Sequence, residues 1–132
     1  MSAKVILHVE DNEYNRKIVR DLLSRDNYEI VEARNGEAAL DELTRRRPDL
    51  ILMDVQLPKL SGLELTRRIR SDPALANIPV IALTSFALSG DDRRALDAGA
   101  AAYLAKPYSP RDLLALIRKF IPEGEEVQET TR

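Results

Sequence analysis

The chain has 132 residues, 44% hydrophobic and 32% charged, with 5 Gly, 7 Pro and no Cys. That length suits one domain whose core can stand without staples, and the lack of cysteine excludes a disulfide frame, thiolate metal sites, iron–sulfur clusters and thiol catalysis. Twenty Lys+Arg against 22 Asp+Glu leave a formal charge of -2, which offers no electrostatic footprint for a nucleic-acid partner.

In chain order, Met1-Ser2-Ala3-Lys4 leads directly into the strand-like run Val5-Ile6-Leu7-His8-Val9, leaving no room for a signal peptide. Asn12 can cap a first helix that carries the i,i+4 pairs Ile18/Leu22 and Val19/Leu23. Tyr28-Glu29-Ile30-Val31-Glu32-Ala33 has charge inside the strand and reads as an edge. A second helix repeats the apolar pattern at Ala39, Leu40 and Leu43 and ends in Arg45-Arg46-Arg47, where positive charge offsets the carbonyl end of the helix dipole. Leu50-Ile51-Leu52-Met53 and Val80-Ile81-Ala82-Leu83 are continuous apolar runs, as expected of parallel strands buried on both faces. Leu65 and Ile69 mark a third helix between them. A fourth helix, over roughly residues 88–98, has few apolar anchors around Asp91-Asp92-Arg93-Arg94 and ends at Gly99 in a left-handed cap. It is expected to be the most loosely held helix. Ala101-Ala102-Tyr103-Leu104-Ala105 reads as a second edge strand, and Leu113, Ile117, Phe120 and Ile121 stripe the last helix. The sequence therefore predicts one domain over residues 1–121 and a disordered acidic tail over 122–132. No apolar run is long enough to cross a bilayer, so the expected setting is cytoplasmic, with no membrane partner.

Five strands alternating with five helices predict an α/β fold: a doubly wound (βα)5 chain with a five-stranded parallel sheet and helices on both faces. With the second and fifth strands as edges the order is 2-1-3-4-5, which matches the flavodoxin-like topology. In such a sheet ligands bind beyond the carboxyl ends of the strands, where the order reverses. Strand one ends in Glu10-Asp11, strand three in Asp54, strand four in Thr84-Ser85 and strand five in Lys106-Pro107. Three carboxylates, a hydroxyl and an ammonium should thus converge from four distant segments. Crowded carboxylates raise one another's pKa unless a cation sits among them, and an all-oxygen set favours Mg²⁺, or else Mn²⁺. The loop Glu10-Asp11-Asn12-Glu13 has no glycine to bring backbone amides up to a phosphate, so FMN and NAD are not expected. A central carboxylate with metal beside it and a lysine opposite is equipped for phosphoryl transfer. Asp54 is the candidate nucleophile, Asp11 a metal ligand, and Glu10 a ligand directly or through water. Lys106 would pair with phosphoryl oxygens, and Thr84 would donate to one of them.

The acidic pair Glu10-Asp11, Asp54 followed by Pro58 and Gly62, Thr84, and Lys106-Pro107 together resemble the receiver domains of two-component response regulators, the CheY-like superfamily, over about residues 4 to 121. The resemblance implies that a histidine kinase or histidine phosphotransfer protein donates a phosphoryl group to Asp54. It also implies Mg²⁺ at Glu10, Asp11, Asp54 and the backbone carbonyl of Gln56. Thr84 and Tyr103 resemble the family's switch pair, and Lys106–Pro107 a bond that is often cis in receivers. The Asp54-Val55-Gln56-Leu57-Pro58 and Leu83-Thr84-Ser85-Phe86-Ala87 stretches, with no output domain, are most similar to stand-alone DivK-type regulators. The output would be a changed surface of the fourth helix, fifth strand and last helix, read by a downstream protein.

Two rival readings follow from the same residues. A Mg²⁺-dependent aspartyl-phosphate phosphatase would resemble a pattern with a second Asp two residues beyond the nucleophile, where this chain has Gln56. A pseudo-receiver that only binds would have no use for the acidic pair, Asp54 and Lys106. The domain is accordingly read as a phosphoacceptor that assists its own transfer and autodephosphorylation, not as an enzyme. Phe86, two beyond Thr84, could shield a phosphoryl group from water. His8, unusual in an apolar strand, is expected to be a satisfied core residue, and Arg45-Arg46-Arg47, Arg67-Arg68-Arg70 and Arg93-Arg94 to be solvated faces.

Overall fold

Apolar runs of four or five residues alternate along the chain with segments of helical period, and the structure, a computed structural model, converts that alternation into elements. It describes residues 3–84 and 91–122. The order is β1 (Lys4–Val9), α1 (Glu13–Ser24), β2 (Tyr28–Ala33), α2 (Gly36–Arg45), β3 (Leu50–Asp54), α3 (Gly62–Ser71), β4 (Val80–Thr84), α4 (Asp91–Ala98), β5 (Ala102–Ala105) and α5 (Pro110–Phe120). The sheet runs β2-β1-β3-β4-β5 with every pair parallel, as the sequence predicts. The expected helix start at Leu88, Phe86 and the tail from residue 123 onward lie outside the described residues.

Because side chains alternate across a strand, β1, β3 and β4 bury apolar residues on both faces. Leu7, Val9, Ile51, Met53, Val80 and Ala82 pack on Ala39, Leu43, Leu65, Ile69 and Ala95 of α2, α3 and α4. Ile6, Leu50, Leu52, Ile81 and Leu83 pack on Val19, Leu23, Leu113, Ile117 and Ile121, on the side of α1 and α5. Four helices begin at a residue whose side chain accepts an amide of the first turn: Asn12, Asn35, Ser61 and Ser109. These caps, each worth about 1 kcal/mol, fix where the loops at the carboxyl edge of the sheet give way to helix.

Several expectations are corrected here. Val19 and Leu23 anchor α1 and Leu22 packs beside them, half-buried, whereas Ile18 is 44% exposed because it falls at the edge of the apolar stripe. Phe120 is half-buried but packs, as its stripe predicts, against the cluster of Leu113, Ile117 and Ile121. Arg70 is not a solvated residue: its Nε donates to the Gly99 carbonyl at 2.7 Å and its Nη1 to the Ala76 carbonyl at 3.1 Å. The bond to Gly99 fastens the end of α4, which is held by alanines (Ala95 and Ala98) instead of large side chains, and the bond to Ala76 holds the segment before β4. Gly99, at φ 115°, closes α4 with the paired bonds Gly99 N–H to Leu96 and Ala100 N–H to Ala95, the Schellman pattern. Among the described residues, no helix is long and apolar enough to cross a membrane.

Candidate functional site

Strand alternation carries Glu10 one residue past β1 onto the α1/α5 side, and Asp54 ends β3 on that same side. β1 and β3 are neighbours whose connections leave in opposite directions, so their carboxyl ends flank the point where the strand order reverses. Glu10 and Asp54 are buried, at 2% and 4% exposure, and Asp11 is exposed at the mouth. One carboxylate oxygen from each of the three lies within 4.8 Å of the others.

Lys106, one residue past β5, reaches across this cluster. Its Nζ is 3.2 Å from Glu10 Oε1 and 3.4 Å from Asp54 Oδ2. The peptide bond that follows it, Lys106–Pro107, is cis, and its own amide donates to the Thr84 carbonyl at 2.7 Å. Asp54 Oδ1 accepts the Gln56 amide at 3.0 Å, which fixes the rotamer of the carboxylate. Glu10 Oε2 accepts the Asn12 amide at 3.3 Å and Asn15 Nδ2 at 3.5 Å. The lysine and the amides compensate only part of the charge that the cluster gathers. Burial, and the neighbouring Glu10 carboxylate after it, push Asp54 up to about 6, against the pull of the Gln56 amide and Lys106.

Gly62 explains the Pro58–Gly62 spacing. A Cβ at this position would stand 2.2 Å from the Asp54 carbonyl oxygen, and the Gly62 amide donates to the Val55 carbonyl at 3.0 Å. The start of α3 therefore rests directly on the backbone that carries Asp54. Lys59, at φ 64°, makes the turn that permits this approach.

The structure brings Glu10, Asp11, Asp54 and Lys106 into one cleft. Thr84 ends β4, fully buried, and Gln56 follows β3 with an exposed side chain. Tyr103 lies in β5 opposite Ala82 and is 39% exposed. Three residues escaped the sequence reading. Asn15 touches Glu10, Arg16 donates to the Glu10 carbonyl at 2.8 Å, and Tyr108 sits close enough to the carboxylates that burial, then Glu10 and Asp54, hold its hydroxyl up to about 12. Asn15 and Arg16 fall three and four residues after the Asn12 cap, a spacing that turns both back toward the loop. Tyr108 carried no such signal. Beside the carboxylates opens a hollow of about 500 Å³ lined by Glu10, Asn15, Ile18, Lys106, Pro107 and Tyr108.

His8 corrects an expectation. It is buried at 1% exposure, but neither ring nitrogen has a hydrogen-bond partner among the described residues. Burial first, then Lys106 and Arg16, pull it down to about 3, so the imidazole is neutral.

Comparison with known proteins bears on the family and the fold. The family model for the response regulator receiver domain matches residues 6–118. The polar-differentiation response regulator DivK of Brucella anthropi is 47% identical over 121 residues, spanning 92% of this chain and 98% of the relative. Its counterpart from Brucella ovis is 45% identical over 122 residues, spanning 92% and 99%. Among solved structures, the receiver domain of the sensor histidine kinase PA1611 of Pseudomonas aeruginosa superposes with a TM-score of 0.84 at 38% identity, covering 91% of this chain and 98% of that one, and holds a magnesium ion coordinated in its active-site cleft. Chemotaxis protein CheY4 of Vibrio cholerae gives a TM-score of 0.85 at 27% identity, covering 91% and 100%.

Proposed function

The chain belongs to the response regulator receiver domain family, and from that premise we propose that Asp54 accepts a phosphoryl group from a phosphohistidine on a histidine kinase or histidine phosphotransfer protein. Receiver domains serve two-component and phosphorelay signalling, standing between such kinases and downstream effectors. The observation that carries the reading is the Lys106 ammonium, which reaches from the end of the edge strand β5 to bridge the buried carboxylates of Glu10 and Asp54.

In the transfer, an oxygen of Asp54 attacks phosphorus as the bond from phosphorus to the donor nitrogen breaks, and the electron pair stays on the imidazole. With its pKa near 6, Asp54 is mostly ionised at neutral pH and able to attack. The Gln56 amide holds Oδ1 still, and Lys106 is within reach of a phosphoryl oxygen that arrives beside Oδ2. Three clustered carboxylate oxygens with no nitrogen or sulfur donor suit a hard cation. Glu10, Asp11, Asp54 and the Gln56 carbonyl would hold Mg²⁺, with Mn²⁺ accepted by the same donors. A cation bound by these donors would neutralise the repulsion between the Asp54 carboxylate and the incoming phosphoryl oxygens.

Thr84, at the end of β4, would donate to the new phosphoryl group, and Tyr103 would leave its half-exposed position to follow it. The altered surface of α4, β5 and α5 would then be read by a downstream protein, in the cytoplasm and with no nucleic acid or membrane involved. Gln56 supplies no acid where an aspartyl phosphatase needs one, so the domain acts as a phosphoacceptor, not as an enzyme turning over phosphomonoesters. The test is intact-mass spectrometry after incubation with acetyl phosphate. The expected gain is one phosphoryl group in the wild type, and none in Asp54→Asn or after chelation of Mg²⁺. Full labelling of Asp54→Asn would overturn the assignment.

A further inference from the structure

We propose that Arg16 is a positioning residue for divalent-cation binding, setting the loop that carries Glu10 and Asp11 by holding its backbone from the first turn of α1. The inference rests on the metal site argued above and adds the part of this chain that shapes it.

Arg16 stands where a cation is unfavourable for the helix, because the amino end of α1 already carries partial positive charge. Its side chain is nonetheless only 11% exposed, and its guanidinium divides its donors among three groups. Nη1 donates to the Glu10 carbonyl at 2.8 Å, Nη2 pairs with the Glu13 carboxylate, and Nε lies 3.3 Å from Glu32 Oε1. Glu32 belongs to β2 and is itself held by Arg20 Nη1 at 2.6 Å. One planar fork thus ties the loop backbone and the helix start to the neighbouring strand.

What the fork controls is the peptide between Glu10 and Asp11. The Glu10 side chain has its own supports in Lys106, Asn12 and Asn15. Asp11 has none: its carboxylate is exposed and makes no hydrogen bond or ion pair among the described residues. The position of the Asp11 carboxylate is therefore set by the backbone that leads into it, and Arg16 clamps the carbonyl of that backbone. A lysine keeps the charge but cannot reach three acceptors in fixed directions.

Positioning and plain electrostatics predict opposite signs. A cation near a cation site repels Mg²⁺, so if charge were all that mattered, Arg16→Met would bind Mg²⁺ more tightly and Arg16→Lys would match the wild type. If Arg16 positions the loop, both variants bind more weakly, by about tenfold, the usual loss when a group orienting a metal ligand is removed. The measurement is isothermal titration of the purified full chain with MgCl₂ at pH 7.5, with amide shifts of Asp11 and Gln56 as a second readout. Arg20→Met, which loses the same Glu32 partner without touching the loop, is the control and should stay within about twofold. Circular dichroism establishes that each variant is folded, and Arg16→Lys, which keeps the charge and the stem, serves should Arg16→Met not fold. Unchanged or tighter binding in the folded variants overturns the proposal while leaving the Asp54 assignment intact. A wild type that takes up no Mg²⁺ overturns both.

Discussion

At the scale of single residues, His8 and Asp54 sit on the same side of adjacent strands and carry opposite pH dependences. His8 is held at about 3 in the folded chain against 6.5 when unfolded. Between those values the unfolded chain binds a proton that the folded one refuses, so stability is lost as pH falls below 6.5. Replacing a buried imidazole that lacks partners by an apolar strand former should therefore help. His8→Val is expected to gain about 1–2 kcal/mol in urea unfolding at pH 7.5, and the gain should widen by about 1.4 kcal/mol for each pH unit below 6.5. A variant that is less stable at every pH would mean that the imidazole is bonded after all. Asp54 runs the other way: its folded value near 6 exceeds its unfolded value of 3.8. The folded carboxyl holds a proton that the unfolded chain has shed, so ionising Asp54 erodes stability as pH rises from about 4 to about 6. In metal-free protein, Asp54→Asn should be more stable than the wild type by about 1–3 kcal/mol at pH 7.5, and the difference should close by about pH 4. A constant difference across that range would place the strain elsewhere.

At the scale of elements, the junction of β3 and α3 is the tightest constraint around the site. Gly62 lets the helix start lie on the Asp54 carbonyl, and any Cβ there must move the backbone, since the atom it meets is not a flexible side chain. Gly62→Ala is expected to lose about 2–3 kcal/mol in urea unfolding and to slow labelling by acetyl phosphate, because the displaced segment includes Asp54. Unchanged stability would show that the loop from Leu57 to Ser61 can give way. The same junction marks what the residues disclose unaided. Strands β1, β3 and β4 were legible because burial on both faces leaves unbroken apolar runs, and the site was legible because each run ends in a polar residue. The facing of α1 was not: Ile18/Leu22 and Val19/Leu23 have the same spacing, and only the packed sheet decides that Val19, Leu22 and Leu23 are covered while Ile18 is not. Nor was Arg70, whose neighbours Arg67 and Arg68 are exposed while it reaches the carbonyls of Ala76 and Gly99. Such contacts depend on loops folding back toward a helix, which periodicity does not encode.

For the whole molecule, the two sides of the sheet divide the work. The side covered by α2, α3 and α4 holds the larger core, while on the other side α1 and the segment after β5 part around the hollow beside Glu10 and Lys106. Ile18 and Tyr14, four residues apart on α1, are exposed at 44% and 71%, and Ile18 lines that hollow with Pro107 and Tyr108. Isolated apolar residues on a surface are ordinary, but Ile18 borders a hollow that opens beside Glu10 and Lys106, next to the proposed phosphoacceptor. A macromolecular donor that comes in over this hollow would bury surface on it, whereas a small donor such as acetyl phosphate would not. Losing one apolar anchor from an interface costs about 1–2 kcal/mol, close to a tenfold change in affinity. Ile18→Ser is accordingly expected to slow phosphoryl transfer from a phosphotransfer protein about tenfold, with the loss in second-order rate and not in maximal rate. Labelling by acetyl phosphate should stay within about twofold, since Ile18 supports neither Asp54 nor Lys106. Equal slowing with both donors would mean that Ile18 acts on the cleft itself, and no slowing with either would move the donor to another face.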